Sequence, residues 1–144
     1  LRFTAVNAAL AETENVSAWH SDLLDSASGD FDLIVANPPY MQDSQKRAYR
    51  HGGGRLGSAL SVRIVEQAVN RLTPGGSLVL YTGAPWVDGV DLFLEHARPI
   101  VDLPDFIWSY REVDPDVFGE ELETGNYTQA ERIAAVVLTV TKRP

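Results

Sequence analysis

Asn37-Pro38-Pro39-Tyr40 is the stretch of this sequence whose residue types and order can do chemistry. Two consecutive prolines fix φ at their own positions and drive the residue before them toward extended backbone, so the turn is stiff. Asn37 offers a side-chain carbonyl oxygen, and Pro38 offers a backbone carbonyl with no N–H beside it. Two acceptors held at fixed positions can bind both hydrogens of one NH₂ group. Tyr40 adds an aromatic face on which a planar amide or base can stack. The nitrogen of such a group is a poor nucleophile because its lone pair is delocalised. Acceptors on its hydrogens return electron density to nitrogen and stabilise the positive charge that develops as it attacks a methyl sulfonium. This chemistry needs no strong base, and the tetrapeptide contains neither histidine nor carboxylate.

The elements around the tetrapeptide are those that would position it. Residues 31–36 (FDLIVA) are apolar apart from Asp32, which fits a strand buried on both faces of a parallel sheet. The prolines must end that strand. Asn37 therefore falls at the carboxyl end of a strand, where open α/β sheets bind ligands. Residues 41–57 read as a long glycine-containing loop. From Ser58, Leu60, Ile64, Ala68 and Leu72 recur at helical spacing, and Thr73-Pro74-Gly75-Gly76 is read as the stop of that helix.

The remaining segments follow the same logic. Residues 1–12 carry helical spacing, with an end expected near Glu12–Asn15. Residues 16–21 alternate and are expected to form a short strand. Residues 77–82, 106–113 and 132–141 read as further strands, and Asp88 or Gly89 is expected to cap a helix that runs to about Arg98. Strands alternating with helices predict an α/β fold with a mostly parallel sheet, and the last two strands, with no helix between them, an antiparallel pair at one edge.

FDLIVANPPY resembles the motif-four strand of the amino- and amide-directed class I S-adenosylmethionine-dependent methyltransferases, whose pattern is Asn or Asp, Pro, Pro, aromatic. HGGGRLGSALSVRIVEQAVNRLTPGGSLVLYTG is similar to the loop, helix and strand that follow this motif in release-factor glutamine methyltransferases and their small-domain relatives. ENVSAWHSDLLDS resembles the strand ending in an acid, here Asp22, that approaches the cofactor's adenine. The resemblance implies a Rossmann-like fold and S-adenosyl-L-methionine as cofactor. It also implies Asn37, Pro38, Pro39 and Tyr40 as catalytic residues, and Asp22, Leu23 and Asn37 as cofactor-binding residues. The methyl acceptor would be a glutamine side chain of a protein or an amine of a nucleic-acid base. In that family the strands are ordered three, two, one, four, five, seven, six. The glycine-rich turn after the first strand and the acid ending the second are not found here. Residues 1–144 therefore read as the C-terminal part of one methyltransferase catalytic domain, lacking the first two strands. The strand at 31–36 would then have an unpaired edge, and self-association of residues 1–144 is expected.

Composition narrows the alternatives. The 144 residues suffice for one core and include no cysteine, which fits a cytoplasmic protein and excludes thiolate metal sites. His20 and His51 stand alone, so no metal is expected. No apolar run approaches the roughly 18 residues of a membrane span. The net charge of −8 opposes phosphate and tips the acceptor toward protein, whereas the cluster of Lys46, Arg47, Arg50, His51 and Arg55 tips it back toward nucleic acid. The acidic stretch from Asp114 to Glu123 is read as a solvated loop. Trp19, Trp86 and Trp108 read as packing residues, with Trp86 the one nearest the ligand-bearing side. A second reading makes the chain a non-catalytic module that kept the fold and acts by protein interaction.

Overall fold

The computed structural model describes residues 1–123 and 125–144. In chain order the elements are helix α1 (Arg2–Leu10), strand β1 (Phe31–Ala36), helix α2 (Ala59–Val69), the long strand β2 (Leu72–Val87), the short strand β3 (Val90–Asp91), helix α3 (Leu92–Val101), strand β4 (Phe106–Asp114) and strand β5 (Arg132–Lys142). Short 3-10 turns at Arg55–Gly57 and Gly119–Glu123 punctuate the two long loops.

The sheet runs β1-β2-β5-β4, with β3 folded back on the end of β2. This is the four-five-seven-six half of the strand order implied by the resemblance. β1 is parallel to β2, and β5 is antiparallel to both β2 and β4. Thus β1, β2 and β4 share one direction, and the antiparallel pair lies at the β4 edge, as expected. Because β5 is inserted between β2 and β4, however, only the β1–β2 ladder is itself parallel, and the sheet of this chain is mixed rather than mostly parallel. The residue patterns explain the insertion. Ile133–Val136 is a continuous buried run that needs a neighbour on each side, whereas β4 alternates half-buried Phe106, Trp108 and Tyr110 with exposed residues and suits an edge.

α2 and α3 lie on one face of the sheet. Ile64, Val65 and Ala68 from α2, with Phe93, Ala97 and Val101 from α3, pack on Leu78 and Leu80 of β2 and on Val136, Leu138 and Val140 of β5. Asp91 caps α3 by accepting from the Leu94 N–H at 2.8 Å, and the Tyr110 hydroxyl donates to its other oxygen. The cap is therefore Asp91 and not Asp88 or Gly89, which instead form the turn between β2 and β3. Thr73–Gly76 does not follow the helix as a stop. α2 has already ended at Val69, and the tetrapeptide lies within β2, where the β1–β2 register shifts between Phe31 and Leu33.

The expected strand at 16–21 does not form, and α1 ends at Leu10, before the expected Glu12. A strand exists only with a partner, and the free side of β1 has none among the described residues. Trp19 is accordingly 52% exposed, and no residue of α1 is buried. On β1, Leu33 and Val35 are 59% and 70% exposed, so the unpaired edge also carries an uncovered apolar face.

Candidate active site

The end of β1 sets the site. Ala36 is the last residue in register with β2, opposite Leu80, and Asn37 and the two prolines follow. Asn37 is exposed, Pro38 buried, and Pro39 and Tyr40 half-buried. The Tyr40 ring meets Tyr81 edge-on at 6.3 Å and Phe118 at a tilt at 6.0 Å. Beneath it lies Gly83, where a Cβ would come within 2.4 Å of Tyr40 Cδ2. Burial, reinforced by the neighbouring Tyr81 hydroxyl, pushes the Tyr40 phenol up to about 12. It is a neutral platform at ordinary pH, not a base.

The glycine-containing loop is built against the back of this turn. The N–H of Met41 donates to the Arg50 carbonyl and the N–H of Gly52 to the Met41 carbonyl, both at 2.9 Å, as in a one-bridge parallel ladder. A Cβ on Gly52 would lie 1.9 Å from the Gly57 carbonyl oxygen and 2.8 Å from that of Pro39. One on Gly57 would lie 2.2 Å from the Tyr40 carbonyl oxygen. Backbone touches backbone here, which is why glycine stands at both positions. Asp43, buried, takes two bonds from the Arg47 guanidinium at 2.8 Å, and these hold its carboxyl well below the usual carboxylate range. Its N–H donates to His51 Nδ1 at 3.1 Å, so His51 has a structural partner.

A cavity of about 420 Å³ opens at the tetrapeptide. Asn37, Pro38, Pro39 and Tyr40 all line it, so the structure brings the four expected catalytic residues together. Its far wall comes from residues read as a solvated loop: Phe118, Glu120 and Glu121. Glu121 pairs with Arg50 across the cavity, joining the two loops. The signal in the sequence was Phe118, a large aromatic inside an otherwise polar acidic stretch. Trp86 is not part of this cavity. Its ring lies 4.1 Å beneath the Arg132 guanidinium, and it borders a separate surface cleft with Gly89 and Leu94.

The expected cofactor residues are split. Leu23 lines a mostly apolar cavity of about 160 Å³ with Leu24, Ile34, Val35 and Ala36, which ends one residue short of Asn37. Asp22 is exposed, and its carboxylate is 3.0 Å from the Arg63 guanidinium. An apolar slot of this kind suits a planar heterocycle.

The model of the methyltransferase small domain matches residues 1–84, which span α1, β1, the tetrapeptide, α2 and most of β2. The chain belongs to the methyltransferase small domain family. Among its relatives, the ribosomal RNA small subunit methyltransferase C of Chromohalobacter salexigens is 40% identical over 67 residues, which are 46% of this chain and 17% of that protein. The release factor glutamine methyltransferase of Lactococcus lactis is 33% identical over 94 residues, 58% of this chain and 34% of that protein. That of Bradyrhizobium diazoefficiens is 32% identical over 87 residues, 53% and 29%. The chain thus covers between 17% and 34% of each of these relatives. A solved methyltransferase from Pyrococcus furiosus superposes on 99% of the chain and 57% of its own length, with a TM-score of 0.54 and 18% identity, which supports the fold. Phe118, Glu120 and Glu121 lie beyond the residues that the methyltransferase small domain model matches.

Proposed function

We propose that residues 1–144 are the C-terminal part of a methyltransferase catalytic domain that, in the natural protein, transfers a methyl group from S-adenosyl-L-methionine to a planar nitrogen, with the side-chain amide of a protein glutamine as acceptor, in the cytoplasm. The observation that carries the reading is the exposed Asn37 beside Pro38 at the end of β1, opening into a cavity floored by Tyr40. The cofactor supplies an electrophilic methyl carbon on a sulfonium. Asn37 Oδ1 and the Pro38 carbonyl would accept the two amide hydrogens, and Tyr40 would stack on the amide plane. The positive charge that grows on nitrogen as its bond to the methyl carbon forms, and the carbon–sulfur bond breaks to leave a neutral thioether, would lie beside the two acceptors. The proton leaves to solvent, because no side chain of the tetrapeptide can take it at neutral pH. Leu23 and Asn37 would border the cofactor, and Asp22 would join them by releasing Arg63.

Charge supports a protein acceptor over a nucleic acid. Arg47 is bound to Asp43 and Arg50 to Glu121, so two of the arginines in the basic cluster are neutralised internally. Glu120 at the cavity wall would repel a phosphate chain. The resemblance to a ribosomal RNA methyltransferase and the exposed Tyr49, with the Arg47 guanidinium 5.7 Å from its ring, favour a base amine as the second reading. The test is transfer of labelled methyl to a glutamine-bearing protein, RNA and DNA by the natural full-length protein, at several salt concentrations. Transfer to the glutamine, nearly independent of salt and lost in Asn37→Ala, is the expected result. Transfer confined to nucleic acid and falling steeply with salt sinks the glutamine assignment. Full activity of Asn37→Ala sinks the role of Asn37. The absence of any transfer favours a non-catalytic interaction module.

A further inference from the structure

Tyr127 is fully buried and lies outside the residues that the family model matches. Its ring packs with Met41, Leu56, Val87, Leu92 and Ile133 in a small second core beneath the site, against which Tyr40 and Phe118 also rest. Its phenol oxygen stands where two strips of backbone converge on the Asn37–Tyr40 turn. It accepts the N–H of Gln42, two residues after Tyr40, at 2.6 Å, and its own O–H faces the Leu56 carbonyl at 3.4 Å.

Leu56 is held at φ 52, in the left-handed region that residues with a Cβ rarely adopt. Its side chain is buried and the Tyr127 hydroxyl faces its carbonyl. The next residue, Gly57, is the one whose Cα abuts the Tyr40 carbonyl. One hydroxyl therefore binds the backbone leaving the turn at 2.6 Å and faces, at 3.4 Å, the backbone that walls it, with Met41 Sδ at 3.9 Å. Without that hydroxyl the Gln42 N–H loses its partner in a partly buried place, and an unmet buried donor is disfavoured.

We propose that Tyr127 is a positioning residue for the Asn37–Tyr40 turn, its hydroxyl fixing Gln42 and Leu56 so that the Asn37 and Pro38 acceptors keep the spacing an NH₂ group requires. It rests on the methyl-transfer reading of that turn. Tyr127 touches no reacting atom. It acts through Gln42, Leu56 and Gly57, and it ties the segment beyond the family's matched residues to the family's motif.

The test is Tyr127→Phe in the natural full-length protein, which keeps the ring and removes one oxygen. Two quantities are read: hydrogen exchange of the amides between residues 41 and 57, and steady-state methyl transfer. Exchange in that loop should rise by about tenfold or more, while β5 keeps its protection. The kcat should fall about 10–100-fold with KM for S-adenosyl-L-methionine little changed, as expected when acceptors are displaced by a fraction of an ångström and cofactor binding is not. Unchanged exchange overturns the clamp, and faster exchange with kcat intact overturns its role in the reaction. If the wild-type protein methylates no acceptor while the variant's loop still exchanges faster, the methyl-transfer reading fails and the clamp stands. Should the variant not fold, the wild type decides: the Gln42 amide must be among the slowest to exchange between residues 41 and 57, and rapid exchange there overturns the proposal.

Discussion

The ring of Tyr40 lies directly on the Cα of Gly83, so closely that a methyl group at position 83 would sit 2.4 Å from Cδ2 and 2.8 Å from Cε2 of the ring. The strand that pairs with β1 thus supplies, through the absence of a side chain, the seat of the platform that follows β1.

Gly83→Ala must therefore displace Tyr40, because β2 is fixed at this point by its pairing with β5 at Ala135. Overpacking of this kind costs about 1–3 kcal/mol. Urea unfolding should show a loss in that range, and methyl transfer should fall by more than that loss explains. Wild-type turnover in Gly83→Ala would show that the Tyr40 platform is not needed.

Gly52→Ala and Gly57→Ala should be harsher, since the new Cβ atoms meet backbone oxygens at 1.9 Å and 2.2 Å rather than a ring that can turn. The loop must detach from Pro39 and Tyr40. Limited proteolysis should cut between residues 41 and 57 in either variant while the sheet remains protected. Resistance equal to wild type would show that the loop can yield without leaving the turn.

Stability should be lost in strong base. Tyr40, Tyr110 and Tyr127 are all raised, first by burial, so each holds its proton more firmly folded than unfolded. Their contribution is complete below the unfolded value of about 10 and is lost as pH rises toward 12. Asp43 is lowered by Arg47, which has the opposite sense: its contribution is present above about 4 and is lost as pH falls. Chemical unfolding followed across pH should show a plateau that drops at both ends, and a flat profile to pH 12 would contradict the tyrosine assignment.

Residues 1–144 made as a separate polypeptide should self-associate through β1. Leu33 and Val35 are 59% and 70% exposed on a strand with one unpaired edge. Charged residues are the usual protection of such edges. Sedimentation should show association that Val35→Lys reduces. A monomer at all concentrations would mean that the edge is harmless.

Much of this was legible in the sequence because the decisive features are local. The prolines end β1 wherever it lies, and the apolar run before them needs a sheet. The tetrapeptide's stiffness is a property of its own four residues. What was not legible depends on distant partners. The stretch 16–21 alternates like a strand, but a strand is made by its neighbour, and the neighbouring slot has no occupant among the described residues. Phe118 and Glu121 sit in a segment whose charge reads as solvent-facing, and only the return of the chain into β5 carries them to Tyr40. Tyr127 lies 85 residues from Gln42, a separation at which no spacing rule operates. The glycines at 52 and 57 were visible, but their purpose was not, because it lies in the backbone of Pro39 and Tyr40.

The placement of β5 also orders events in time. β5 follows every other strand in the chain, yet it is the one that joins β2 to β4, pairing Ser77 with Thr141 and Phe106 with Lys142. Until it arrives, β2 has an open side and β4 has no ladder at all. A nascent chain that stops short of Arg132 therefore cannot yet close this sheet. The long sequence separation of these pairs makes closure slow compared with helix formation. Between synthesis of β4 and docking of β5, one side of β2 and the whole of β4 are open to chaperones and to other copies of the chain.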